Sequence, residues 1–144
     1  MDDILTRTIS LDCDIDHAFR VFTERVDLWW PRGHRRNRDA TLRFERDWLI
    51  ERAPDGSEWA MADVTAMEPP RRLALDWYPG SPNAPTSVEL QFTSKGDGTE
   101  VTVTHRALTA ETRSIWPQRV TRFIDGWDSV LPALQQFIRT DKGG

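Results

Sequence analysis

At 144 residues the chain has the length of one ordinary domain, and we expect a single domain over residues 1–144. Its hydrophobic residues (38%) suffice for a core, which excludes an intrinsically disordered chain. A net charge of −4 gives no general attraction to nucleic acid, and no apolar run approaches the ~20 residues of a membrane span.

The first third of the chain predicts one strand and two short helices. Residues 4–11, ILTRTISL, alternate between apolar and polar as a half-buried strand does. Asp14 can cap a helix over about 15–23, because a carboxylate at that position accepts a bond from an orphan backbone N–H. A second helical stretch, RVDLWW, ends at Pro31 and leads into the basic loop PRGHRRNRD.

From Thr41 onward the pattern predicts strands. Gly96-Asp97-Gly98 is typical of a hairpin turn between two of them, and the loop PGSPNAP is too rich in proline for a central strand. The predicted strands are TLRFE, WLIERA, EWAMADVTAM, RRLALDWY, TSVELQFTSK and TEVTVTHRAL.

The chain closes with a predicted long amphipathic helix that begins after Trp116-Pro117. Its apolar residues recur at steps of three and four, yet its middle holds Gly126 beside Trp127, and Pro132 five residues on. Proline and glycine both disfavour a helix interior. We therefore expect a bend near 128–132 and a helix that caps a cavity; the alternative is that Gly126 only makes room for packing.

Four blocks of sequence carry a resemblance to a known family: DIDHAFRVFT with LWWP, DVTAMEPPRRLALDW, GDGTEVTVTHRAL and GWDSVLPALQQFI. In this order they resemble the family named after the activator of the heat-shock-protein-90 ATPase. That family belongs to the START-like (SRPBCC) helix-grip superfamily, with the birch-pollen allergen and the polyketide cyclases. The resemblance implies an α+β fold in which a curved antiparallel sheet of about six or seven strands wraps around the C-terminal helix. It implies no catalytic residue.

This architecture favours non-covalent binding of a small hydrophobic or amphipathic molecule between sheet and helix. His105 and an arginine would orient a polar end of that molecule, and plain core packing is the alternative for the tryptophans. The predicted ligand-binding residues are Trp30, Leu75, Trp77, Leu90, Phe92, Val103, His105, Phe123, Trp127, Leu131 and Leu134.

Two other functions remain open at this point. One is an enzyme similar to the polyketide cyclases, in which His105 moves a proton; the alternative for His105 is a hydrogen-bonded histidine near a strand end. The other is a chaperone cofactor, as the family name implies. The sequence contains no second catalytic group, which favours binding over catalysis.

No cofactor or metal site is predicted. Asp12, Asp14 and Asp16 resemble the start of a calcium loop, but the sixth position is His17 and the twelfth is Thr23. No spacing of histidine or cysteine typical of zinc occurs, nor any phosphate-binding glycine motif.

The remaining features concern partners and location. The basic cluster of Arg32, Arg35, Arg36 and Arg38 could attract an anionic head group or an acidic partner; a solvated loop is the alternative. The acidic N-terminus is not a signal or transit peptide, and the lone Cys13 suits a reducing cytoplasm. We expect a cytoplasmic monomer or homodimer that binds no nucleic acid.

Overall fold

The computed structural model describes residues 4–78 and 85–140. Seven strands and three α-helices follow one another in this part of the chain, together with one short 3₁₀ turn. The elements are β1 (Ile4–Leu11), α1 (Ile15–Glu24), α2 (Val26–Trp29), a 3₁₀ turn (Arg32–His34), β2 (Thr41–Phe44), β3 (Trp48–Arg52), β4 (Glu58–Glu68), β5 (Arg72–Trp77), β6 (Thr86–Lys95), β7 (Gly98–Ala107) and α3 (Ala110–Thr140).

The strands form one antiparallel sheet in the order β1-β7-β6-β5-β4-β3-β2. Two register shifts interrupt the pairing, one at Leu49/Ile50 in β3 and one between Val64 and Ala66 in β4. Such bulges bend a strand and increase its twist, which allows the sheet to curve. The curved sheet holds α3, so the predicted α+β helix-grip fold is confirmed.

Strict alternation of side chains decides which residues enter the core. Every second residue of β6 from Thr86 to Phe92 is buried, and β7 follows the same rule from Thr99 to Ala107. These inward side chains pack against the apolar stripe of α3 and against α1. Asp14 caps α1 as predicted, because its Oδ1 accepts the backbone N–H of His17 at 2.8 Å.

The β6–β7 hairpin depends on two glycines. Gly96 has φ +61°, a backbone conformation that side chains with a Cβ adopt only at a cost. A Cβ on Gly98 would lie 2.6 Å from the carbonyl oxygen of Leu11, so the close approach of β1 requires glycine there. The predicted hairpin at 96–98 is confirmed.

The start of the last helix was predicted too late. Helix α3 begins at Ala110, because Thr109 caps it: Thr109 Oγ1 accepts the backbone N–H of Thr112 at 3.1 Å, and Thr112 Oγ1 accepts the N–H of Thr109 at 2.8 Å in return. Trp116 therefore lies in the second turn, 2% exposed, rather than at the entry. Helix α3 also continues through Pro132 to Thr140.

In residues 4–78 and 85–140, no helix is both long and apolar enough to cross a bilayer. The predicted proline-rich loop PGSPNAP lies outside the described residues, except for its last position, because positions 79–84 are not described.

Candidate functional site

A pocket of about 170 Å³ lies between the middle of α3, the sheet and the end of α2. Its walls come from parts of the chain that are far apart in sequence, so folding alone brings them together. The lining residues, which define what we call the tryptophan pocket, are Trp30, His34, Trp77, His105, Arg122, Phe123, Gly126, Trp127 and Val130.

Three indole rings face one another around this pocket. Their centroids are 5.9 Å apart for Trp30 and Trp77, 6.2 Å for Trp30 and Trp127, and 6.5 Å for Trp77 and Trp127. Aromatic pairs at such distances and inclined angles are attractive, each worth about 0.5–1.5 kcal/mol beyond burial. The rings therefore stabilise one another while leaving a concave apolar surface between them.

Trp30 is held in the wall by the way α2 ends. Its backbone N–H closes the last turn on Val26 O at 3.0 Å, and Pro31 then forces an extended backbone. Its indole N–H donates to the carbonyl oxygen of His34 at 3.3 Å. The polar atom of this ring is thus satisfied by the protein, and the ring presents its apolar surface to the pocket.

His105 lies beneath the pocket with no exposed surface and is bonded at both ring nitrogens. An indole N–H can only donate, so Nδ1 of His105 must accept from Trp127 Nε1 at 3.0 Å. The proton then sits on Nε2, which donates to Thr86 Oγ1 at 2.7 Å. The Thr86 hydroxyl in turn donates to the carbonyl oxygen of Trp77 at 3.2 Å. This chain of bonds fixes the indole of Trp127 and connects it to the backbone of Trp77.

Burial lowers the pKa of His105 from its ordinary value of 6.5 to about 3. The imidazole is therefore neutral at pH 7, and neither nitrogen is left to exchange a proton or to bond a ligand. The geometry is that of the alternative interpretation, a hydrogen-bonded histidine near a strand end. Its contribution to the site is to hold Trp127 in place.

Gly126 faces the pocket. A Cβ built on it meets no atom within 4 Å, so the glycine does not serve close packing against the sheet. Arg122, Gly126 and Val130 are spaced by four residues along α3 and share one side of the helix. Any side chain at position 126 would project into the pocket, and glycine keeps that volume empty.

One arginine and one histidine border the mouth. His34 and Arg122 are both exposed, and within the described ranges Arg122 forms no ion pair or hydrogen bond. Among the described residues that line the pocket, none is acidic. The mouth of the pocket is therefore suited to a negative rather than a positive group.

The loop that carries His34 is anchored by Arg35, whose side chain is 1% exposed. Its guanidinium donates to Asp27 Oδ1 and to the carbonyl oxygen of Ala40, both at 2.6 Å, and to that of Trp30 at 2.8 Å. A solvated loop is thus the wrong interpretation for this arginine. The bond from the Arg35 guanidinium to the carbonyl oxygen of Trp30 holds this wall of the pocket in position.

A buried carboxylate anchors the same loop from the sheet. Glu51 has no exposed surface, and its two oxygens accept the backbone N–H groups of Arg36 and Asn37 at 3.0 and 2.8 Å. The Arg36 guanidinium lies 4.8 Å from the ring centroid of Trp59. None of the four clustered arginines borders the pocket; the cluster contributes by holding the loop.

The predicted site residues fall into two groups in the structure. Trp30, Trp77, His105, Phe123 and Trp127 border the pocket. The others are buried among core side chains and do not border it: Leu75, Leu90, Phe92, Val103, Leu131 and Leu134.

Sequence reasoning missed His34, Arg122 and Val130 as lining residues. The helical period would have found two of them, because Arg122 and Val130 lie four residues before and after Gly126. No sequence signal pointed to His34, which reaches the mouth only because the loop is folded back onto α2.

Other reactive groups offer no second centre in the described residues. Burial, with help from Asp14 and Asp12, raises the pKa of the Cys13 thiol to about 11, so it is protonated and unreactive at neutral pH. No group of three or more metal-ligating side chains occurs in this part of the chain.

A larger depression of about 580 Å³ lies between α1 and the β4–β5 turn. Charged side chains of both signs surround it, namely Arg20, Glu24, Glu45 and Arg46. Volume alone would favour this groove, but charged side chains of both signs around it are typical of an ordinary solvated surface. The smaller tryptophan pocket, with aromatic walls and few polar groups, is the better candidate binding site.

The fold and pocket define a helix-grip protein with an aromatic cleft under its C-terminal helix. A family model described as "Activator of Hsp90 ATPase homolog 1-like protein" matches residues 12–139, and the chain belongs to that family. A comparison with curated proteins found no match.

Solved structures share the fold. Protein Ms6760 from Mycobacterium smegmatis is 17% identical with a TM-score of 0.69, over 95% of this chain and 91% of that one. CalU16 from Micromonospora echinospora is 25% identical with a TM-score of 0.63, over 96% of this chain and 74% of that one. DynU16, a protein of the dynemicin biosynthetic locus, is 18% identical with a TM-score of 0.68 over 97% of this chain; the match spans 48% of DynU16.

Proposed function

We propose that this protein binds a small hydrophobic or amphipathic molecule, without covalent chemistry, in the tryptophan pocket. The observation that carries the proposal is an unfilled space of about 170 Å³ walled by three indoles, with a glycine facing it. Protein interiors are otherwise close-packed, and apolar side chains that border an open pocket forgo part of the stabilising contact that such packing gives. A glycine in the middle of a helix adds a further cost of about 1 kcal/mol. Ligand binding explains why both costs persist.

The polar atoms around the pocket support the same conclusion. The indole N–H groups of Trp30 and Trp127 are bonded within the protein, as are both nitrogens of His105. The interior therefore offers mainly ring faces and edges, and these four bonded nitrogens are not left for a ligand, which suits an apolar group. Membership of the family is consistent with this, since a sheet that curves around a long helix leaves room for a ligand between them.

No observation favours the two other functions. A cyclase-like reaction would need a proton acceptor, and His105 has no free nitrogen. A chaperone-cofactor role has no corresponding surface feature in residues 4–78 and 85–140. Our proposal places the protein in the cytoplasm, as the lone Cys13 favours, as a monomer or a homodimer.

The proposal is tested by native mass spectrometry of the purified protein and by tryptophan emission during titration with a panel of amphipathic molecules. Wild type should retain a ligand, or show saturable changes in emission with members of the panel. Gly126→Leu should abolish both, because its side chain would occupy the pocket. Ser129→Leu is the matched control, since it adds the same side chain at an exposed position of α3.

Two results would contradict the proposal. One is a wild-type protein that carries no ligand and responds to no member of the panel. The other is a ligand that binds Gly126→Leu as tightly as it binds wild type. The melting temperature of each variant establishes that a loss of binding does not come from unfolding.

A further inference from the structure

We propose that the ligand of the tryptophan pocket is a small aromatic carboxylate, with its ring among the indoles and its carboxylate at the mouth beside Arg122 and His34. This inference rests on the proposed function and adds to it the size, shape and charge of the ligand.

The volume of the tryptophan pocket limits the size of the group that it can hold. A cavity of about 150 Å³ lined by apolar side chains holds one benzene molecule. The tryptophan pocket, at about 170 Å³, therefore takes a single ring with a short substituent. A long acyl chain or a four-ring sterol does not fit this volume.

The walls select a flat ring. Trp30, Trp77 and Trp127 form a triangle of indoles with centroid separations of 5.9–6.5 Å, and Phe123 lies beside them. Aromatic rings attract one another in offset and edge-to-face arrangements, which a planar ligand can adopt against several walls at once. A saturated ring of equal size buries similar area but lacks this attraction.

The rim selects a negative charge. Arg122 lies one helical turn before Gly126, is exposed, and within the described residues has no ion pair that a ligand would have to displace. Its long stem allows the guanidinium to lie across the mouth, where it can bind a carboxylate. His34 stands on the opposite wall.

The same rim disfavours a positive ligand. Aromatic cages can bind quaternary ammonium groups through their ring faces. Here, however, none of the described residues that line the pocket is acidic, and a cation would lie beside an arginine. The interior walls carry no formal charge, so the rim decides the charge of the ligand.

The test compares three molecules that share a benzyl group and differ in charge: phenylacetate, phenylacetamide and 2-phenylethylammonium. Binding is measured by isothermal titration calorimetry and by saturation-transfer NMR. Phenylacetate should bind most tightly, with a Kd of about 0.1–1 mM for a ligand of this size. Phenylacetamide should bind about threefold to fivefold more weakly, as expected for loss of one exposed ion pair, and 2-phenylethylammonium more weakly still.

Two further comparisons separate ring from charge. Cyclohexylacetate keeps the carboxylate but should bind more weakly than phenylacetate. Arg122→Gln should lower the affinity for phenylacetate to the value that wild type shows for phenylacetamide. It should leave the affinity for phenylacetamide unchanged. Arg139→Gln is the matched control: it removes the same charge from α3 at its far end, where Arg139 pairs with Asp12 at 3.6 Å, and should change nothing.

The outcomes distinguish this inference from the function beneath it. Equal or tighter binding of the amide or the ammonium compound, or no effect of Arg122→Gln on phenylacetate, overturns the aromatic carboxylate while a binding pocket stands. Binding of none of these compounds also overturns it. If the broader amphipathic panel likewise gives no response, the proposed function fails with it.

Discussion

His105 should make the stability of this protein depend on pH in a way that one substitution removes. Burial lowers the pKa of His105 from 6.5 to about 3, so the folded protein binds this proton much less well than the unfolded chain does. The stabilising contribution of the neutral imidazole is therefore complete above pH 6.5 and is lost as the pH falls towards 3.

The magnitude follows from the gap between the two pKa values. At about 1.4 kcal/mol per pH unit, the whole interval corresponds to about 5 kcal/mol. Between pH 7 and pH 5 the free energy of unfolding should fall by about 2 kcal/mol through this group alone. His105 has no exposed surface and no acidic neighbour contributes to its pKa, so little screening reduces the effect.

The assay is urea denaturation of wild type and His105→Gln at pH 5, 6 and 7. Other titrating groups are present in both proteins and cancel in the difference. The stability of wild type should fall by about 2 kcal/mol more than that of the variant between pH 7 and 5. Equal pH dependence in the two proteins would refute the neutral, doubly bonded histidine described here.

Four further substitutions test the helix, the hairpin and the loop. Gly126→Ala should raise the free energy of unfolding by up to about 1 kcal/mol in thermal denaturation, since its Cβ meets no atom within 4 Å. Gly98→Ala should lower the free energy of unfolding, because its Cβ would lie 2.6 Å from the carbonyl oxygen of Leu11. If Gly126→Ala also lost stability, Gly126 would serve close packing rather than an open pocket. Arg35→Leu should lower stability towards urea by about 3 kcal/mol, because it removes the buried partner of Asp27 and the bonds that Arg35 donates to the carbonyl oxygens of Asp27, Trp30 and Ala40. The exposed Arg38→Leu should change stability by less than about 0.5 kcal/mol, and an equal effect of the two would contradict the anchoring role of Arg35.

Local signals were sufficient for most of the elements. Apolar alternation located the strands, Asp14 marked the start of α1, and Gly96 marked the hairpin. The start of α3 was misjudged because Trp116-Pro117 is a strong signal for a first helical turn. The competing signal, the hydroxyl of Thr109 accepting the backbone N–H of Thr112, is visible only once its geometry is known.

Sequence by itself determined the fold of this protein and the faces of its elements, because side-chain direction follows the period of a strand or a helix. Tertiary structure alone decided which inward residues pack and which border open space. Leu134 and Trp127 share the buried face of α3, yet only the indole reaches the pocket. Periodicity cannot place the point where α3, β5 and the end of α2 surround empty volume, since that depends on curvature and on contacts between residues about a hundred positions apart. The buried Arg35 and the doubly bonded His105 depend on the same long-range contacts.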